Sequence, residues 1–375
     1  MEKKEKILSI CMPTYNRPEC VAKSLAHYER VIREGGLGEK VEICISDNST
    51  NGETEGVVGG FAKKLCIKYS RNKENLGYDR NAVLAMSLAD GKFSQLVGDE
   101  LFYFGESLAS AVGMLENGGV DALIFDDDGL FHKGGAQFKA EIDGKRLWEK
   151  ALSHEWVKKR SITHIDYVVI RNSDFRNYLR HVGNRLDEFY GLTFVQLSFY
   201  MFALKRAARA GVVGRVNEQA ADNAPKKAGV YFPSDDARVI YRKYFFEFKK
   251  CLECGIISEK EYEKFKKNFF FSAWGHLLRI RTHMYPRIYR SEEKETLRHI
   301  VLVEGEYSGT MRMALAALRR LLFIEEVPYH LLYVAFDLMR THVLGKPRVS
   351  ALALYEKCLD GQEGSTGGKL YKTDF

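Results

Sequence analysis

ILSICMPTYNRP spans residues 7–18: a mostly apolar run from Ile7 to Met12, then Pro13 and a polar turn, Thr14-Tyr15-Asn16-Arg17, ahead of Pro18. The run has the length of a buried strand, and proline closes it because it carries no N–H for the ladder. Pro18 is pre-set for the first position of a helix. Val21, Leu25, Tyr28 and Ile32 then recur at helical spacing, and Gly35-Gly36 end the pattern. A strand that delivers polar residues into a helix is the unit from which parallel sheets are built.

Working outward, the unit repeats. Val41 to Ser46 reads as a second strand ending at Asp47-Asn48-Ser49, followed by a helix over Thr54 to Lys64 and a third strand near Cys66 to Ser70. Asn75-Leu76-Gly77 is a turn, Asp79 to Ala89 a helix, and Phe93 to Val97 a fourth strand that meets Gly98-Asp99-Glu100. A helix to Glu116 and strands at Ala122–Phe125, Ile162–Ile170 and Val212–Val216 continue the alternation, with a long helix expected over Thr193–Ala210. Past Asp236 the alternation stops and the chain reads as all helix, with a frayed Gly/Ser/Lys-rich tail after Asp360. The expected fold class is α/β, a mostly parallel sheet flanked by helices, followed by an all-helical C-terminal region. Expected boundaries are 1–105 and 106–235 for the two halves of the α/β domain, 236–360 for the helices and 361–375 for the tail.

Composition sets limits on the class of protein. At 375 residues with 45% hydrophobic content the chain is globular, and it has no apolar run long enough to cross a bilayer. The apolar stretch after Met1–Lys6 is too short for a secretory signal, so the expected location is the cytoplasm. Seven scattered cysteines fit reduced thiols, and the lone Cys251-x-x-Cys254 lacks the second pair that zinc would need. The net charge is +7, and residues 236–290 hold 13 Lys plus Arg against 6 Asp plus Glu. Interleaved with Phe269-Phe270-Phe271 and Trp274, that excess suits an anionic membrane surface, a helix face packed on the rest of the chain, or contact with a second copy. No nucleic-acid module is present, and no nucleic-acid partner is expected.

In open parallel sheets ligands bind beyond the carboxyl ends of the strands. Three expected strands end in polar groups there: Pro13-Thr14-Tyr15-Asn16-Arg17, Asp47-Asn48, and Gly98-Asp99-Glu100. Asp47 can accept the imino N–H of a pyrimidine, Tyr15 offers a face for a base, and Arg17 can neutralise a diphosphate. Asp99 and Glu100 are hard oxygen donors suited to magnesium or manganese. No glycine-rich dinucleotide fingerprint and no Walker sequence is present, which argues against a dinucleotide oxidoreductase and a P-loop phosphotransferase.

SICMPTYNRP at residues 9–18, ICISDNST at 43–50, NKENLGYDRNAVLAM at 72–86 and LVGDELF at 96–102, in that order and spacing, resemble the family 2 glycosyltransferases of the GT-A fold. The resemblance covers roughly residues 7–105. It implies an inverting transferase that moves a sugar from a nucleoside-diphosphate donor, UDP-linked by family habit, to a glycan or lipid-linked acceptor of a bacterial surface polysaccharide. By position it implies that Thr14, Tyr15 and Arg17 line the nucleotide pocket, that Asp47 holds the base and that Asp79 stands near the diphosphate or sugar. Pro13, Asn16, Asn48, Asn75, Gly77, Asn81 and Gly98 complete the expected nucleotide-sugar-binding set. Asp99 would meet ribose or metal, and Glu100 would be the metal ligand. The family turn usually carries two or three aspartates; Leu101 stands where a third acid would, which puts metal dependence in question.

The acceptor half is less marked. Such a transferase needs a carboxylate base for the acceptor hydroxyl. Asp187 and Glu188, ahead of Gly191-Leu192-Thr193 and the long helix, are the candidates, with Asp166 as their rival. Asp126-Asp127-Asp128 before Gly129 reads as a solvated loop, and His132, His154 and His164 lack metal-ligand spacing. A different outcome consistent with the altered turn is a protein that binds nucleotide sugar without turning it over.

Overall fold

The computed structural model describes residues 5–103, 105–126, 139–153, 165–192, 194–214, 217–219, 237–269, 305–313 and 316. The chain divides into two compact units, residues 1–236 with 243–265, and residues 237–242 with 266–375.

In the first unit the order is β1 (Leu8–Thr14), α1 (Pro18–Glu34), β2 (Val41–Asp47), α2 (Glu53–Phe61), β3 (Ile67–Arg71), α3 (Tyr78–Ser87), β4 (Phe93–Leu96) and β5 (Leu101–Tyr103). It continues with α4 (Gly105–Glu116), β6 (Ala122–Asp126), β7 (Lys139–Asp143), α5 (Gly144–Ala151), β8 (Val168–Arg171) and α6 (Asn172–Val182). A 3₁₀ helix (Gly183–Phe189), α7 (Val195–Leu204), β9 (Arg209–Gly214), β10 (Asn217–Gln219) and α8 (Ala237–Glu253) follow, the last belonging to the first unit from residue 243.

Eight strands form one sheet in the order β3-β2-β1-β4-β8-β6-β9-β7. β1 to β4 are parallel, β8 runs antiparallel between β4 and β6, and β7 is antiparallel at the far edge. Strand order reverses at β1, which has β2 on one side and β4 on the other. A crevice therefore opens beyond Thr14 and Leu96. All seven residues of β1 and all seven of β2 are buried, as sandwiched parallel strands require. On one face Leu8, Ile10, Met12, Ile43, Ile45 and Phe93 pack with Val21, Leu25, Tyr28 and Ile32 of α1 and with Leu108 and Val112 of α4.

The expected strands and helices of the first hundred residues appear within three residues of their predicted ends. Past that point several differ. The helix expected over Thr193–Ala210 is only Val195–Leu204, because Arg209 onward is drawn into β9 by pairing with β6. Every residue of that helix is buried, so its apolar content gave no face from which to read an end. The basic stretch 241–267 is broken at Gly255, whose φ of +69° suits glycine, and Ile256 N–H bonds back to Cys251 C=O at 2.8 Å to close the helix. β5, β7, β10, α5 and α6 were not expected; the three strands are short, but α5 and α6 bury residues at helical spacing, Leu147 with Ala151 and Phe175 with Tyr178 and Val182. Asp127, Asp128, His132, His154, His164, Trp274 and the helices expected at 311–323 and 328–344 lie largely or wholly outside the described residues.

Residues from Tyr244 to Phe265 pack on this first unit. Glu261 accepts from Trp148 Nε1 (2.6 Å) and from Lys205 Nζ (2.8 Å), and Phe194 and Tyr244 meet edge to face. Among the described residues no helix is long and apolar enough to cross a membrane. In the second unit Lys266 Nζ donates to Glu306 C=O at 2.8 Å and Tyr307 OH to Lys266 C=O at 3.0 Å.

Glu247 of α8 is fully buried, and neither of its oxygens has a hydrogen-bond partner among the described residues. Burial, with the Asp79 charge adding to it, pushes its carboxyl well above the ordinary value of 4.5. Between that ordinary value and the raised one, the unfolded chain has released a proton that the folded chain keeps. Stability is therefore lost as pH rises, by about 1.4 kcal/mol per pH unit. Glu247→Met, close in volume and chargeless, is expected to be more stable than the parent at neutral pH, by a margin that grows from pH 5 to 8. Urea melts across that range check it; a pH-independent margin would contradict the buried acid.

Candidate functional site

The site grows from three loops at one end of the sheet. The register of β1 and β4 runs from Leu8 against Phe93 to Cys11 against Leu96. Continued three residues, it puts Thr14 level with Asp99, and Thr14 Oγ1 donates to Asp99 Oδ2 at 2.7 Å. Arg17, which precedes α1, ends in the same place. Its Nη1 pairs with Asp99 Oδ1 at 2.8 Å and its Nη2 with Glu100 Oε2. The turn is held from below by Ser24 Oγ of α1, which donates to Asp99 C=O at 2.7 Å.

Asp99 is buried, and that burial pushes its carboxyl up to about 6 against the opposing pull of Arg17 and the Thr14 hydrogen bond. Burial alone would lower the Arg17 guanidinium; the Asp99 and Glu100 charges outweigh it and hold it above its ordinary value. A cation between two acids at a strand-order reversal is an arrangement built for a charged ligand.

Asn16 takes a left-handed φ of +52°, a conformation asparagine tolerates. Its Oδ1 accepts from Thr50 N–H at 3.0 Å while its own N–H donates to Ser49 Oγ at 2.8 Å, so the loops after β1 and β2 are stitched together. Tyr15 stands on that rim, 39% exposed, and Pro13 pairs with Ser46 in the ladder behind it. Asp47 is wholly buried. Its Oδ1 accepts from Ser49 N–H and its Oδ2 from Tyr69 OH, each at 2.8 Å. Each oxygen thus accepts one bond from the protein and keeps a second lone pair.

The asparagines form a chain of their own. Asn48 Nδ2 donates to Asn75 Oδ1 and to Gly77 C=O, both at 3.1 Å. Asn81 Nδ2 donates to Thr14 C=O at 3.0 Å. Asn72 Nδ2 faces Asn48 Oδ1 (2.8 Å), Asn81 Oδ1 (3.2 Å) and Ser46 Oγ (3.2 Å), joining the two. Gly77 takes φ +79°, which only glycine adopts readily, and this swings the chain into α3. Asp79 does not reach the crevice through a free oxygen: it accepts from Gly191 N–H (2.7 Å) and Val195 N–H (3.4 Å), binding the loop before α7 to the first turn of α3. Asn48, Asn81 and Asp79 thus position the crevice walls. Asn72 and Ser24 were missed; a serine on the apolar face of α1 was the one readable sign.

The acceptor-half carboxylates fall in two places. Continuing the registers of β8 puts Asp166 level with Gly98 of the acidic turn and with Asp126 of β6, and both aspartates are buried. Asp187 stands on the 3₁₀ helix, 73% exposed, 3.3 Å from Arg80, which lies over the Tyr190 ring at 4.9 Å. Hydrogen bonds from Arg185 and Lys250 hold the Glu188 carboxyl down to about 2.

Among the described residues no group of three or more His, Cys, Asp or Glu side chains is placed to hold a metal. Asp99 and Glu100 nonetheless place two hard carboxylates side by side at the acidic turn, oxygen donors of the kind magnesium and manganese take.

Residues 9–179 match the family described as Glycosyl transferase family 2. The abequosyltransferase RfbV of Salmonella typhimurium is 34% identical over 105 residues, 28% of this chain and 31% of that protein, so the match spans under a third of the relative's length. Among solved structures, TarS 1–349 of S. aureus is similar in fold at a TM-score of 0.53 and 14% identity, over 91% of this chain and 92% of that one. Its complex with UDP-GlcNAc gives 0.55 at the same identity and coverage.

Proposed function

We propose, from the premise that residues 9–179 form a glycosyl transferase family 2 domain, that this protein transfers a sugar from a nucleoside-diphosphate donor, UDP-linked, to a glycan or lipid-linked acceptor in surface-polysaccharide synthesis. The convergence of Thr14, Arg17, Asp99 and Glu100 at the strand-order reversal carries this reading. The UDP-GlcNAc bound to TarS and the sugar-transferase name of RfbV support the donor class.

The base lies over the floor set by Asp47, against Tyr15, and the diphosphate extends to Arg17. A divalent ion held by Asp99 and Glu100 supplies, when bound, neutralising charge to the diphosphate. Arg17 takes part of the charge that develops on that diphosphate as its bond to the anomeric carbon breaks. The acceptor oxygen attacks from the opposite face, so the configuration inverts, and a carboxylate takes its proton. We assign that role to Asp187. It is open to an incoming hydroxyl, oriented by Arg80, and carried on a segment that Asp79 ties to the crevice. Glu188 is spent on Arg185 and Lys250 and is too weak a base.

The test is a panel of nucleotide sugars, read by thermal shift and by nucleotide release with candidate acceptors. One donor is expected to stabilise the protein and turn over. Asp187→Asn is expected to keep donor binding and lose on the order of 10²–10⁴ in kcat. Loss confined to Asp166→Asn would move the base to β8. Donor binding with no turnover on any acceptor would make this a binding protein, and no shift with any nucleotide would overturn the pocket itself.

A further inference from the structure

We propose that Arg17 and the divalent ion compete for the same two carboxylates, so that the metal loads only together with the donor, whose diphosphate draws the arginine away. This rests on the nucleoside-diphosphate reading of the crevice.

The argument is one of atoms. Of the four carboxylate oxygens on the acidic turn, Asp99 Oδ1 takes Arg17 Nη1, Asp99 Oδ2 takes the Thr14 hydroxyl, and Glu100 Oε2 takes Arg17 Nη2. Among the described residues Glu100 Oε1 alone of the four has no hydrogen-bond partner, and a magnesium or manganese ion demands several oxygens in near-octahedral array. Arg17 spans Asp99 Oδ1 and Glu100 Oε2 with its two nitrogens, so the guanidinium fills the space between the carboxylates. A bridging ion would sit in that space, and such an ion displaces it. With nothing else in the crevice, that exchange gives up two charge-assisted hydrogen bonds and leaves an arginine, only 30% exposed, without its partners.

A diphosphate alters the balance on both sides. It offers Arg17 a pair of anionic oxygens matched to the guanidinium fork, and it offers the ion the ligands the protein lacks. Arginine and ion then each gain a partner and cease to oppose one another. The exchange is local, since Arg17 is the residue immediately ahead of α1, where Pro18, the Cys20 and Val21 N–H bonds to Arg17 C=O and the Asn16 N–H bond to Ser49 Oγ fix the backbone. Cation binding at the acidic turn is thereby made conditional on donor.

Manganese titration followed by the electron-spin signal of the unbound ion tests this on the whole protein, with UDP as the nucleotide. The parent without UDP is expected to leave manganese largely in solution and to bind it tightly once UDP is added. Arg17→Ala is expected to bind manganese on the order of tenfold more tightly than the parent in the absence of UDP. Arg17→Lys keeps the charge but not the two-pronged bridge. It is expected to show part of that gain, whereas a mere field effect would leave it like the parent. Tight manganese binding by the parent alone overturns the proposal and needs no variant. So does equal affinity in all three proteins, or the absence of manganese binding in the presence of UDP. Calorimetry with UDP separates the two levels: UDP that binds while manganese ignores Arg17 sinks only the competition, and UDP that never binds sinks the nucleotide reading beneath it.

Discussion

Asp99→Asn is expected to cut transfer by on the order of 10²–10³ in kcat/KM while leaving the protein folded and more resistant to urea. The amide still accepts from Thr14, but it cannot neutralise Arg17 or hold a cation. The gain in stability has a separate origin. Asp99 is buried, and burial pushes its carboxyl up to about 6, so relative to the unfolded chain the folded state bears a cost for holding the anion at neutral pH. Removing that charge returns on the order of 1–3 kcal/mol, less what Arg17 loses when Glu100 is left as its acidic partner. Steady-state kinetics with the donor found above, alongside urea melts at pH 7.5, check both halves. A variant that loses activity and stability together would show that Asp99 is a structural acid, not a site residue.

Glu42→Ala is expected to destabilise the protein by about 2–4 kcal/mol, a large fraction of the stability of an ordinary domain. Glu42 lies on the far side of the sheet from the crevice and is buried. Its Oε1 accepts from Ser9 Oγ (2.6 Å), Asp90 N–H (2.8 Å) and Gly91 N–H (3.0 Å), and its Oε2 meets Lys68 Nζ at 3.1 Å. Truncation removes the acceptor of Asp90 N–H and of the Ser9 hydroxyl, while Gly91 N–H keeps Ser9 Oγ and Lys68 Nζ keeps Asp90 Oδ2 and Leu88 C=O. Burial alone would raise the Glu42 carboxyl; the Ser9, Asp90 and Lys68 contacts outweigh it and hold it below the ordinary value. Its contribution is therefore complete above that ordinary value and fades as acid takes the folded group through its lowered one. Glu42→Gln keeps an acceptor and is expected to cost much less. Equal losses from Ala and Gln in urea melts would assign the effect to charge and not to the orphaned donors.

The donor half was legible because its signals are local. β1, β2 and β4 are short apolar runs ended by turn residues, and the motifs that mark the crevice sit at those ends. What pattern could not give was who bonds to whom. The side chains of Asp47, Asn48, Asp79 and Asn81 are turned on Tyr69, Gly77, Gly191 and Thr14. Polarity predicts a site; it does not tell a ligand contact from a brace. The acceptor half was obscure for a different reason. β8 is four residues inserted antiparallel, and α7 is apolar on every side, so neither shows the period from which an end or a face is read.

The placing of β8 has a consequence in time. β3, β2, β1 and β4 are all made by residue 96, but the open side of β4 is covered only by residues 168–171. At roughly 5–20 residues per second, a ribosome needs on the order of 4–15 s to deliver that cover. Through that interval the nascent chain presents an unpaired strand edge, a template for the same edge on its neighbour. Fast translation from crowded polysomes should therefore favour inclusion bodies, and slower synthesis at lower temperature should recover soluble protein.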